Sequence, residues 1–205
     1  MEEVKLIKIL FATVIISTIL FLTGSCSHAD WNKSTKETVE DEMWKLVAEY
    51  SPNDTTTAAV FGWFYRESKL DSSALSGVKD SSKFISEIDS GLEDGSTRER
   101  FIRDVSQKYG GFGLGQWCSE CYVSALYDFA QTWGTSIADK EMQVAFAFHY
   151  MKETNPWNIW EHLETATDPY ATGLMIGKFI DGTLLPESIA WDSKYFYDKY
   201  VKEKK

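Results

Sequence analysis

Several things are scarce in this chain, and each scarcity closes off a class of function. It has 205 residues and no uncharged apolar run long enough for a standard membrane span. The run from Ile9 to Leu22 is 14 residues, against the roughly 20 that a spanning helix needs. Basic residues are in deficit, with 21 Lys and Arg against 31 Asp and Glu and a net charge of −10. An acidic surface of this kind argues against nucleic acid as a partner. Histidines are few, and His28, His149 and His162 show no ligand spacing with Cys118 and Cys121. No metal site is therefore expected, and no cofactor is implied. The chain shows no internal repeat and no low-complexity segment.

What is present begins with an export signal. Lys5 and Lys8 precede the apolar run, a pattern that suits a signal peptide. Residues 1–29 read as a signal peptide or a membrane anchor, and 30–38 as a polar linker. Leu22-Thr23-Gly24-Ser25-Cys26 is a degenerate version of a bacterial lipoprotein box, which makes Cys26 a candidate lipid anchor. Cleavage after Ser27-His28-Ala29, or no cleavage, fits as well. The expected location is outside the cytoplasm: membrane-anchored, a lipoprotein on the outer face of the cytoplasmic membrane, or secreted. In an oxidising compartment Cys118 and Cys121, a C-x-x-C pair, are able to close a small disulfide. A redox role for the pair would need a βαβ context that this sequence lacks.

From Val39 onward, helical periodicity dominates. Val39 to Tyr50 carries apolar residues at helical spacing. Asp54 or Thr55 is placed to cap a second helix through Thr57 to Glu67. That segment is apolar almost all round and is expected to be the buried central helix. Ser68 to Lys83 reads as irregular chain, and Phe84 to Ile88 as a short helix or strand. Ser96-Thr97-Arg98-Glu99 has a capping-box pattern. Further helices are expected up to Trp133, with Gly134 as a stop, after Ser136 to Asp139, from Asn155-Pro156, from Asp168-Pro169, and from Pro186 to Val201. The fold class is mainly α. Residues 39–205 form one domain, with a small irregular or β-hairpin part before a glycine-rich turn.

Two stretches could carry chemistry. Glu67 ends the apolar helix, so its carboxyl is expected in apolar surroundings that raise its proton affinity toward the range of a general acid. The backbone carbonyls at a helix C-terminus act in the same direction. The second stretch is Tyr109-Gly110-Gly111-Phe112-Gly113-Leu114-Gly115-Gln116-Trp117, with four glycines in six residues. Such a run permits positive φ and a close backbone approach to a ligand. It is not a nucleotide loop, because no Lys-Ser or Lys-Thr follows and the order is not G-x-G-x-x-G. Gln116 and Trp117 offer a hydrogen-bond partner and a flat face suited to a pyranose ring, although a core Trp117 reads equally well. Asp71, Asp80, Asp89 and Asp104 are the candidates for a second carboxylate. Asp104 is favoured because it lies just upstream of the turn.

Taken together, Glu67-Ser68 and Gly111-Phe112-Gly113-Leu114-Gly115-Gln116-Trp117 resemble the phage tail lysozyme family, within the lysozyme-like superfamily. Ile88 to Gly91, Arg100-Phe101, Asp104, Leu126-Tyr127, Ser136-Ile137 and Met142-Gln143 extend the resemblance over roughly Trp44 to Phe179. It implies a helical lysozyme-like fold acting on peptidoglycan glycan strands. The reaction would cleave the β-1,4 bond between N-acetylmuramic acid and N-acetylglucosamine. Glu67 falls on the family's catalytic glutamate and Asp104 on a family aspartate. Tyr65, Gly111, Phe112, Gly113, Gln116 and Trp117 would line the substrate groove. Cys118 and Tyr122-Val123 stand where the family has Thr and an Arg-Lys pair. A lytic transglycosylase acting on the same bond, or a wall-binding protein without turnover, are the alternative readings. The expected partners are peptidoglycan and, through the N-terminal segment, a membrane.

Overall fold

The computed structural model describes residues 38–154, 158–182 and 184–203. The proposed signal or anchor, most of the linker and Cys26 lie outside the described residues. The same holds for the Asn155-Pro156 helix start. Helix α1, Val39–Tyr50, starts at Thr38, whose side chain forms a reciprocal capping box with Asp41. It buries Met43, Trp44 and Val47.

Helix α2, Asp54–Ser68, is the central helix, and every residue from Thr55 to Phe64 is buried. Its N-cap is Asn53, one residue before Asp54 and two before Thr55, the expected caps. The Asn53 side chain accepts from the Thr56 N–H at 2.9 Å and donates to the Leu163 carbonyl at 2.8 Å. One side chain therefore starts α2 and ties it to a distant segment.

Helix α3, Ser82–Asp89, resolves the ambiguity at Phe84 to Ile88 in favour of helix. Helix α4, Gly95–Arg103, is capped by Asp94 instead of Ser96. It continues into a widened π-helical stretch, Asp104–Tyr109. Helix α5, Glu120–Trp133, stops at Gly134, which adopts φ 74° as expected of a C-terminal glycine. Helix α6, Lys140–His149, is capped by Asp139. Short α7, Ile159–Glu164, follows. Helix α8, Pro169–Ile176, runs into another π-helical stretch, Gly177–Asp181. Helix α9, Pro186–Tyr197, completes the bundle.

The result is mainly α. Between α2 and α5 the described residues pair only as isolated antiparallel bridges, Leu75 with Val78, Leu75 with Phe112, and Phe112 with Trp117. The irregular part before the glycine turn is thus pinned at single points and forms no sheet.

Helices α2, α8 and α9 meet through small residues. A Cβ on Gly62 would stand 2.7 Å from the Ser193 backbone nitrogen. Gly173 also approaches Ser193 closely. Backbones this close leave little room for movement, so α2 is held rigidly against α9. Aromatic rings fill the remaining space, as in Phe61 on Phe196 with centroids 4.6 Å apart and Trp44 on Tyr200 at 4.5 Å.

Candidate active site

The site is built around the C-terminal end of α2. Lys69 and Leu70 follow the helix with φ 57° and 67°, both left-handed, and neither is glycine. Two consecutive non-glycine residues in this region cost about 1–2 kcal/mol each. The Lys69 N–H donates to the carbonyls of Phe64 and Tyr65, and the Ser68 hydroxyl donates to the Phe64 carbonyl. The chain is therefore turned sharply away within two residues of Glu67, and strain of this kind is typical of functional sites.

Glu67 itself is half-buried, and its carboxyl is pushed up to about 7 from an ordinary 4.5. Burial is the main cause, followed by the negative charge of Asp181. Arg66 and Lys69 pull it partly back. Arg66 turns outward to Asp192 of α9, at 2.8 Å, and its effect on Glu67 stays secondary. A carboxyl near 7 keeps a proton at neutral pH and can deliver it, which is the requirement for a general acid.

The residues expected to line a groove divide into two groups. Phe112 and Trp117 are in the core. Phe112 is fully buried, with its ring 5.6 Å from that of Phe101. Trp117 packs edge-on against Trp63, Phe64 and Phe146. Neither presents an open face to a sugar, because the tight bridge between them folds both rings inward. Tyr65 is half-buried, packed on Phe196 and covered by the Lys69 ammonium at 4.3 Å.

The glycine turn works as a scaffold. Gly113 has φ 75°, and a Cβ there would stand 2.5 Å from Gln143 Oε1. Gln143 is fully buried. Its Oε1 accepts from the Leu114 N–H at 2.8 Å, and its Nε2 donates to the Ser72 and Ile137 carbonyls. Gln116, at φ 46°, donates from Nε2 to the carbonyls of Ala74 and Gly113. These two amides fasten the irregular loop after Glu67 to the turn. Gly111 sits against Gln116, where a Cβ would be 2.9 Å from Oε1. At Gly115 a Cβ would lie 2.7 Å from the Trp63 ring, so this glycine lets the indole settle against the turn.

Trp63 then provides the link that the sequence did not suggest. It lies one helical turn before Glu67, on the same face. Its Nε1–H donates to Asp181 Oδ1 at 3.0 Å. Asp181 ends the π-helical stretch after α8, and Gly182 beyond it has φ 68°. The Tyr122 hydroxyl donates to the neighbouring Ile180 carbonyl at 3.3 Å. Asp104, the carboxylate favoured from sequence, is engaged elsewhere in ion pairs with Arg103 at 3.0 Å and Arg100 at 3.6 Å. The charges that act on Glu67 are those of Asp181, Arg66 and Lys69.

Cys118 and Cys121 flank the exit from the turn as exposed, unbridged thiols, and the expected disulfide is not formed here. An open cleft of about 750 Å³ lies beyond the loop, bordered by polar residues such as Asp71, Lys79 and Asp89 and by Ala74, Val78 and Ile85. Among the described residues there is no cluster able to hold a metal ion. Nor is any helix among them long and apolar enough to cross a membrane.

With the carboxyl, its apolar helix and the glycine scaffold in view, the class is that of a helical lysozyme-like protein. The sequence model of the phage tail lysozyme family matches residues 38–177, and the chain belongs to that family. No curated protein and no solved structure matches it. The family match includes Glu67 and the whole glycine turn and stops four residues before Asp181.

Proposed function

We propose that this protein is an exported glycosidase that cleaves the β-1,4 bond between N-acetylmuramic acid and N-acetylglucosamine in peptidoglycan, with Glu67 as general acid. Family membership supports the lysozyme-like hydrolase class. The observation that carries the specific reading is Glu67, half-buried at a strained helix end and holding its proton up to about pH 7. Protonating the leaving oxygen requires such a group next to the scissile bond. The glycine turn and its two glutamines hold the backbone around that carboxyl. Export by the N-terminal segment brings the enzyme to its substrate, where Cys118 and Cys121 are free to pair.

The test is digestion of purified sacculi followed by mass spectrometry of the released muropeptides. Reducing N-acetylmuramic acid ends are expected. Anhydro ends would show transglycosylation and overturn hydrolysis. Binding to sacculi without product release would overturn catalysis.

A further inference from the structure

Trp63 and Asp181 are joined by a hydrogen bond across two segments, and Glu67 lies one helical turn from Trp63 and feels the Asp181 charge. Trp63 and Glu67 share one face of α2. The indole N–H reaches across to the Asp181 carboxylate at 3.0 Å, over a sequence separation of 118 residues. The indole is itself fixed on its other side, since it is buried, lies against Gly115 and meets Trp117 edge-on. The π-helical stretch that ends in Asp181 is held by the Tyr122 hydroxyl through Ile180 and turned by the left-handed Gly182. Asp181 is half-buried, as Glu67 is. This is heavy support for a single aspartate at the end of a helix. Asp104 is instead held by two arginines.

We propose that Asp181 is the second carboxylate of the Glu67 site: the base that takes the proton from the water attacking the anomeric carbon. The inference rests on the glycosidase reading above. Glu67 gives its proton to the glycosidic oxygen as the bond from that oxygen to the anomeric carbon breaks. The water oxygen bonds to the anomeric carbon, and its proton passes to Asp181. One strand then ends in a new reducing sugar and the other in a free hydroxyl. The proton returns from Asp181 to Glu67 through solvent. Asp181 also assists before the chemistry starts, because its negative charge acts on Glu67 and favours the protonated acid. Two carboxyl groups driven apart in proton affinity are the usual division of labour in glycosidases. Charged and titratable groups near this pair include Arg66, Lys69 and Tyr122, with Asp192 paired to Arg66 and with Cys121 and Tyr150 beside Tyr122.

The experiment compares full-length wild type with Asp181→Asn, Asp181→Glu, Trp63→Phe and Glu67→Gln. Turnover is read as reducing ends released from sacculi across pH. The Glu67 carboxyl is titrated directly by infrared difference spectroscopy against Glu67→Gln. Asp181→Asn is expected to lose at least about 10²-fold in turnover, the contribution of a positioned base, while still sedimenting with sacculi. Its Glu67 titration midpoint should fall, and Asp181→Glu should return it toward wild type. Trp63→Phe should lose turnover to a smaller extent. Wild-type turnover in a folded Asp181→Asn variant, or an unmoved Glu67 midpoint, would overturn the proposal. If instead wild type and Glu67→Gln are equally inactive, the glycosidase reading itself fails. A Glu67 midpoint that still responds to Asp181→Asn then identifies an electrostatic pair without the catalytic role, which overturns the role assigned here to Asp181.

Discussion

Replacing Glu67 by Gln separates activity from stability. A carboxyl at about 7 is half protonated at pH 7, whereas one at the ordinary 4.5 would be about 0.3 % protonated. Burial and Asp181 together therefore supply about 150-fold more acid at neutral pH. That gain is set against stability. The folded state binds the Glu67 proton more tightly than the unfolded chain does. The penalty is absent below about pH 4.5, grows as pH rises, and is complete above about pH 7. The full difference between 4.5 and 7 corresponds to about 3 kcal/mol. Because Glu67 is only half-buried, solvent screening reduces this to about 1–2 kcal/mol.

Glu67→Gln has no charge to desolvate. It is expected to abolish release of reducing ends and to be about 1–2 kcal/mol more stable than wild type at pH 8. At pH 4 the advantage should vanish. Thermal melts followed by circular dichroism at both pH values check this, since a gain of that size raises Tm by about 2–8 °C in a chain of this length. Equal Tm differences at pH 4 and pH 8 would refute the claim that the carboxyl is strained by burial. Retained clearing of walls would refute its catalytic role.

Other perturbations probe the scaffold. Gly113→Ala forces a Cβ against Gln143 at a left-handed position and should cost about 2–4 kcal/mol in chemical denaturation. Gln143→Leu leaves the buried Leu114 N–H and two carbonyls without their amide partner and should cost about 3–5 kcal/mol. Lys69→Gly relieves a left-handed non-glycine residue, loses an exposed contact with Tyr65, and should stabilise by about 0.5–1 kcal/mol. It also removes a positive charge near Glu67, so the Glu67 titration midpoint should rise in the same variant.

What the sequence determined by itself was local. The largely apolar run before Glu67 pointed to a buried helix, and a carboxyl at the end of a buried helix is readily desolvated. The glycines of the turn likewise announced left-handed backbone and close approach, and Gly134 announced a helix stop. These readings depend on neighbours a few residues apart. Whether a ring faces a groove or the core depends on which elements pack against it, and here the pairing of Phe112 with Trp117 turns both rings inward. The same reasoning applies to the amides. Gln116 looked like a ligand-binding group, but Ala74 and Gly113 occupy it, and Gln143 emerged as an organiser only when three separate segments met at its side chain. The second carboxylate is the clearest case. Nothing in the sequence around Asp181 marks it, and Asp104 was the better local candidate. Only the tertiary fold brings Asp181, at the end of the π-helical stretch after α8, to the indole of Trp63 and its charge to bear on Glu67, because electrostatic coupling depends on distance in space and not on separation along the chain.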